Sequence, residues 1–338
     1  MGHRYKGKGV RAQKLKAFMK NIIPAVDRKL ILDELTEDVF LRHTNKGGNQ
    51  LYLVTHHNAP HVMREIGRLR EISFRSAGGG TGKQLDVDAY DTAKVPFEQL
   101  VLWDPEDQEI LAGYRLLKCK DAEKDEEGKI VSATAHLFDL DQHFYQEYLP
   151  YTIELGRSFV QPAYQRNGSR KGLFSMDNLW DGLGAILVRN PHVKYLFGKV
   201  TMYPSYDREA RNMILSFLKI QFPDPDGLVR PEKPLVSDKE LAKYGHLFEG
   251  LEYKEAYSKL RELVRERGEN IPPLINTYMN ISDTMKTFGT AANYEFGEVE
   301  ETGILITVKD IFPEKKDRHM LTYESSREYI GPLKKKEE

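Results

Sequence analysis

The chain has 338 residues, 40% hydrophobic and 30% charged, with a formal net charge of -1. That length fits one large domain or two small ones, and so balanced a charge selects no partner; no nucleic acid is expected. The single cysteine, Cys119, excludes an internal disulfide and a cysteine-rich metal site, and fits a reducing cytoplasm.

Residues 1–20 hold seven Lys or Arg and no acid. Leu15, Phe18, Met19, Ile22 and Ile23 recur there at helical spacing among Arg11, Lys14, Lys16 and Lys20. Two readings stand: a basic amphipathic helix lying on an anionic bilayer, or an N-terminal helix packed on the domain. Pro24 ends it either way. No long apolar core comes after the basic run, and no stretch approaches the roughly 20 apolar residues of a membrane span.

Apolar runs at 39–41 and 51–54 flank the Asn- and Gly-rich turn 45–49, a hairpin signal. A helix is expected over 59–76, with Val62, Ile66 and Leu69 on one side. Strands at 100–103 and 110–117 form an antiparallel pair around a turn at 104–107. A charged loop covers 121–129, and a strand is expected over 133–138. Then come a strand at 151–160, a helix at 174–189, a strand at 193–200 and a helix at 206–220. Four prolines make 223–234 a loop. A charged helical segment spans 238–268. Beyond it lie a short helix after Pro272 and Pro273, and strands near 293–298 and 303–308.

Three motifs carry no chemistry of the kind they suggest. Residues 77–84 look like a nucleotide-binding loop, yet Ala77 stands where Gly is needed and Gln84 where Ser or Thr is needed. The ten histidines lack metal-ligand spacing, so no metal site is expected. Ser158 lies outside any Gly-x-Ser-x-Gly elbow and is not a nucleophile of that kind.

The strand at 151–160 carries the chemistry. Residues two apart share a face, which groups Glu154, Gly156, Ser158 and Val160 against Leu155, Arg157 and Phe159. Next comes a basic turn, with Gln165, Arg166, Gly168, Arg170 and Lys171 ahead of a helix, where backbone N–H groups bind anions. Asp86, Asp88 and Asp91 form an acidic block that reads either as a solvated loop or as a receptor for a cationic amine.

Taken in order, 69–75, the acidic block, 112–117, Glu154 to Ser158, 179–183, 195–198 and 272–278 with Phe296-Gly297 resemble the GNAT-type N-acyltransferases of bacterial amino-acid lipids. These are ornithine-lipid and glycine-lipid synthases, often labelled hemolysin-like and related to acyl-homoserine-lactone synthases. The likeness covers roughly residues 60–310. Gln99 stands where that family often has His, and Arg170 takes the last place of the phosphate-loop pattern that Gln165 and Gly168 fit.

The resemblance implies an α/β (α+β) fold with a mixed, mostly antiparallel sheet flanked by helices, a helical insertion and an N-terminal basic extension. The corresponding divisions are 1–58 (basic helix and strand extension), 59–221 (acyltransferase core), 222–270 (helical insertion), 271–313 (completion of the core) and 314–338 (tail). It implies transfer of a long-chain fatty acyl group from acyl carrier protein to the amino group of glycine or ornithine, with no tightly bound cofactor. Glycine is preferred, because a solvated acidic block offers nothing to a cationic acceptor. The enzyme would work in the cytoplasm, peripherally at the inner face of the membrane.

Under that likeness Glu154 is the base that takes the amine proton, directly or through water. Arg157 and Arg115 pair with the acceptor carboxylate or with Asp86, Asp88 and Asp91, while Arg75 lies in the substrate-binding helix block. Ser158 hydrogen-bonds substrate or holds the strand. Backbone N–H groups near Phe159 and Val160 meet the oxyanion, and Gln165, Arg166, Gly168, Arg170 and Lys171 hold the phosphopantetheine. The rival readings are a signal synthase using S-adenosylmethionine, and a non-catalytic membrane-surface protein on the same scaffold.

Overall fold

A computed structural model describes residues 21–165, 172 and 174–324. In chain order its main elements are helix α1 (Arg28–Glu34), strands β1 (Phe40–His43) and β2 (Gln50–Val54), and helix α2 (Pro60–Ala77). Strands β3 (Glu98–Asp104), β4 (Glu109–Lys118), β5 (Phe138–Leu140) and β6 (Thr152–Val160) come next, then helix α3 (Ser175–Arg189) and strand β7 (Tyr195–Met202). Helix α4 (Arg208–Gln221), strand β8 (Val229–Pro231) and helices α5 (Asp238–Gly245), α6 (Tyr253–Glu266) and α7 (Pro273–Met279) precede β9 (Lys286–Asn293) and β10 (Val299–Thr307).

Eight strands form a mixed, mostly antiparallel sheet in the order β1-β2-β3-β4-β6-β7-β10-β9, with helices flanking it. Antiparallel ladders join β1 to β2, β2 to β3, β7 to β10 and β10 to β9. The β6–β7 ladder is parallel, from Thr152 opposite Tyr195 to Leu155 opposite Gly198. The chain falls into two compact units, and the division passes through β4 after Tyr114 and through β6 after Gly156.

The first unit holds residues up to Tyr114, Arg157–Leu179 and Glu295–Gly297. Its core sets Val62, Met63, Ile66 and Leu69 of α2 against Val54, Val101, Trp103 and Phe159. Those α2 positions repeat at three and four residues, so one helix face is apolar and seeks burial. Gly67 opens a gap in that helix. A Cβ there would sit 2.6 Å from Val87 Cγ2, and the bare backbone lets Asp86 N donate to Gly67 O at 2.9 Å. The acidic segment is thereby laid across α2.

The second unit holds Arg115–Gly156, Trp180–Tyr294 and the chain from Glu298. Phe138, Leu140, Phe144, Leu149, Phe197, Leu228, Val229, Phe288 and Leu305 make its core beside Cys119. Gly198 on β7 permits close strand approach, since a Cβ would meet Leu155 O at 2.5 Å.

Four local expectations differ from the structure. The strand predicted over 133–138 begins only at Phe138, because 133–137 curl into a turn in which Leu137 N and Phe138 N both donate to Thr134 O. The proline-rich loop contains β8, whose Val229–Pro231 pairs with β5 as an edge strand, where proline is tolerated. The charged segment 238–268 is two helices separated by Gly250 at φ 73. The strand expected near 293–298 is β9, ending at Asn293; Tyr294–Phe296 form a 3-10 turn, and Gly297 turns back at φ 79.

Candidate active site

Strand β6 is not regular. Arg157 adopts φ 48, a left-handed conformation that is costly for a residue with a Cβ. The alternation expected from Glu154 to Val160 does not run through that point, because one left-handed residue interrupts the extended backbone and re-aims the residues beyond it. Glu154 and Ser158 are therefore not partners on one face by simple counting.

In the first unit the structure gathers Arg157, Asp86, Asp88 and Phe296. Arg157 Nε lies 2.9 Å from Asp86 Oδ2, and its Nη2 lies 3.6 Å from Asp88 Oδ2. Its guanidinium stacks 3.8 Å from the Phe296 ring centroid, and Phe296 packs edge-on against Phe74 at 5.1 Å. Asp86 is fully buried, whereas the Asp88 side chain keeps 25% exposure. Asp88 also caps a short helix, Ala89–Thr92, by accepting from Asp91 N.

Asp91 belongs to a separate buried network. Arg70 Nη1 reaches Asp91 Oδ2 at 3.0 Å, Arg70 Nη2 donates to Gln99 Oε1, and Gln99 Nε2 donates to Asp91 Oδ1 at 3.1 Å. Sequence alone gives Arg70 and Gln99 no such role. Arg75, expected among the substrate ligands, donates Nε to Glu71 at 2.7 Å and Nη2 to Lys83 O. Glu71 accepts in addition from Thr81 N, Thr81 Oγ1 and Gly82 N, at 2.8–3.0 Å. The glycine loop after α2 thus wraps a protein carboxylate with its backbone amides, and the nucleotide-loop reading is excluded.

Further along β6, Phe159 lies buried over Gly113, where a Cβ would meet its ring at 2.8 Å. Val160 O accepts from Ser73 Oγ at 3.3 Å and from Gln165 Nε2. Ser158 Oγ is 4.0 Å from Met176 Sδ, a weak contact. Arg166, Gly168, Arg170 and Lys171 lie outside the described residues, as do residues 1–20 of the basic segment.

In the second unit Glu154 is 1% exposed. Its Oε1 accepts from Thr134 N and Thr134 Oγ1, each at 2.8 Å. Among the described residues no donor reaches Oε2. Burial pushes the Cys119 thiol well above its ordinary ionisation range, and the charge of Glu154 adds to that shift. Arg115 is buried against the bare backbone of Gly156, where a Cβ would lie 3.5 Å from its Nε. Lys199 Nζ donates to Ala133 O at 2.6 Å and pairs with Glu301 at 2.9 Å. Thr134 and Lys199 carry no sequence signal of their own. Among the described residues no helix is long and apolar enough to cross a membrane.

The chain resembles known acyltransferases in sequence. The family described as Acetyltransferase (GNAT) domain matches residues 69–175. A glycine N(alpha)-acyltransferase of Bacteroides thetaiotaomicron is 57% identical over 310 residues, 90% of this chain and 91% of that protein. Another, from Phocaeicola vulgatus, is 54% identical over 307 residues, 90% and 94% of the two chains. Among solved structures, the CoA-dependent acyl-homoserine lactone synthase BjaI aligns over 82% of this chain and 90% of its own, at 11% identity and a TM-score of 0.34. AAC(6')-Ib with ribostamycin and coenzyme A covers 78% and 94%, at 11% identity and 0.31. Both structural likenesses are slight.

Proposed function

The chain belongs to the GNAT N-acyltransferase family that includes these two enzymes, and from that premise we propose that it moves a long-chain fatty acyl group from acyl carrier protein to the amino group of glycine. The relationship that carries this reading is 57% identity sustained over 90% of the chain. The acidic block supports the acceptor. Asp86 and Asp88 are spent on Arg157 and Asp91 on Arg70, so all three of its carboxylates are already paired inside the protein. A glycine, with no cationic side chain, makes no demand on them.

In the proposed reaction the acceptor nitrogen attacks the thioester carbonyl, the C–N bond forms, and the C–S bond breaks to release the pantetheine thiol. The nitrogen loses a proton to Glu154, directly or through water, and the departing sulfur takes one up. A buried carboxylate with one oxygen held by Thr134 and the other unclaimed within the described residues suits that task. By the family likeness, backbone N–H groups near Phe159 and Val160 are the candidates to meet the oxyanion, and Gln165 with the basic residues after it the candidates to hold the carrier arm. Arg157, turned aside by Asp86 and Asp88, orders β6 rather than the acceptor carboxylate; Arg115 remains the candidate for that carboxylate. The product is an amphiphile, which fits work at the inner membrane face.

The test is direct. Purified protein is incubated with long-chain acyl carrier protein or acyl-CoA and each amino acid in turn, and products are identified by mass. N-acylglycine formed from the carrier-protein donor is expected. No N-acyl product with any amino acid from either donor would refute the activity, and ornithine used in preference to glycine would refute the acceptor.

A further inference from the structure

We infer that Thr134 is a positioning residue for Glu154, and that the turn bearing it is pinned by Lys199 through Ala133 O. The inference rests on the reading of Glu154 as the proton acceptor.

Thr134 is fully buried, so its hydroxyl serves no contact with solvent. Both its donors converge on one oxygen, Glu154 Oε1, at 2.8 Å each. Two donors from one rigid residue fix the rotation of a carboxylate, and a base works only if its lone pair is aimed. Oε1 is consumed by orientation, and Oε2 is left to take the proton. A hydrogen bond to a charged partner in a buried place is among the stronger ones available.

The turn itself is held. Ser132 Oγ accepts from Ala135 N at 3.2 Å, and Thr134 O accepts from Leu137 N and Phe138 N at 3.0 and 3.1 Å. The neighbouring carbonyl, Ala133 O, receives Lys199 Nζ at 2.6 Å. Lys199 is in turn paired to Glu301, whose Oε2 accepts from Asn293 Nδ2 at 3.0 Å. The line from β9 and β10 through Lys199 to the turn, and from the turn to Glu154, is continuous within the second unit. Threonine at 134 with lysine at 199 therefore does for the base what a third residue does in a catalytic triad: it orients without reacting.

The experiment measures kcat and KM for the amino-acid acceptor, by thiol release, in full-length T134V, T134S and E154Q. Valine keeps the shape and the backbone N–H but removes the Oγ1 donor. T134V should lower kcat about tenfold or more while KM stays within about twofold, and T134S should restore kcat to within about twofold of the parent. Wild-type kcat in T134V, or a fall in T134V that serine does not rescue, overturns the inference. E154Q separates the two claims. An inactive E154Q beside a fully active T134V refutes only the positioning role, whereas a fully active E154Q removes Glu154 as base and Thr134 with it. If T134V does not fold by circular dichroism, T134A carries the same expectation. A chain that folds only with a hydroxyl at 134 makes that residue a structural one and ends the proposal.

Discussion

Arg157 holds a left-handed backbone at φ 48 while its Nε sits 2.9 Å from the fully buried carboxylate of Asp86. The strain at one residue is offset by the ion pair and by the ring of Phe296 beneath the guanidinium. Asp86 reaches this place because Gly67 lets its backbone lie against α2. Removing the charge leaves a largely buried guanidinium with only Asp88, at 3.6 Å, as its ionic partner. D86N should lower unfolding free energy by about 3–5 kcal/mol, read by urea denaturation, as expected when one member of a buried pair is lost. A loss under about 1 kcal/mol would show that Asp88 alone secures Arg157.

Glu71 makes a comparable prediction without any part in the chemistry. Four donors converge on its carboxylate, from Arg75, Thr81 and Gly82. Glutamine turns one acceptor into a donor facing a donor, so E71Q should lose about 3 kcal/mol of stability. The glycine loop should then open to trypsin at Lys83. A loop equally resistant in both proteins would contradict this account.

Cys119 should be inert in the folded protein. Its thiol is buried, and burial first, then the charge of Glu154, raises its ionisation well above the ordinary value of 9.0. Iodoacetamide at neutral pH should leave it unlabelled until denaturant is added. An upward shift also gives the pH dependence its sign. The unfolded thiol ionises near its ordinary value while the folded one stays protonated, so the unfolded state sheds its proton first. Stability held below about pH 9 should decline as pH rises beyond it, and a C119S variant should show less of that decline.

Gly198 should not tolerate a side chain. A Cβ there would lie 2.5 Å from Leu155 O, a backbone atom with no room to yield. G198A should destabilise the chain by about 1–3 kcal/mol, as overpacking does. Because Leu155 adjoins Glu154, kcat should fall as well. Unchanged kcat with lowered stability would mean that β6 absorbs the shift without moving the carboxylate.

Local elements are legible along the chain wherever a period is present. The apolar face of α2 at Val62, Ile66 and Leu69, the hairpin around 45–49 and the long strand ending at Val160 can all be read directly, because backbone geometry imposes spacing on side chains. Glu154 stands out for a related reason: it is the one carboxylate of its strand, set between Ile153 and Leu155. Which charges meet is settled only once the chain has folded. Thr134 finds Glu154 at a separation of 20 residues, and Lys199 finds Ala133 at 66. Folding also sets Arg157 at φ 48, off the extended backbone that alternation assumes. Period and propensity are properties of neighbours along the chain, whereas an ion pair or a buried hydrogen bond depends on where the chain returns, and no local spacing encodes that return.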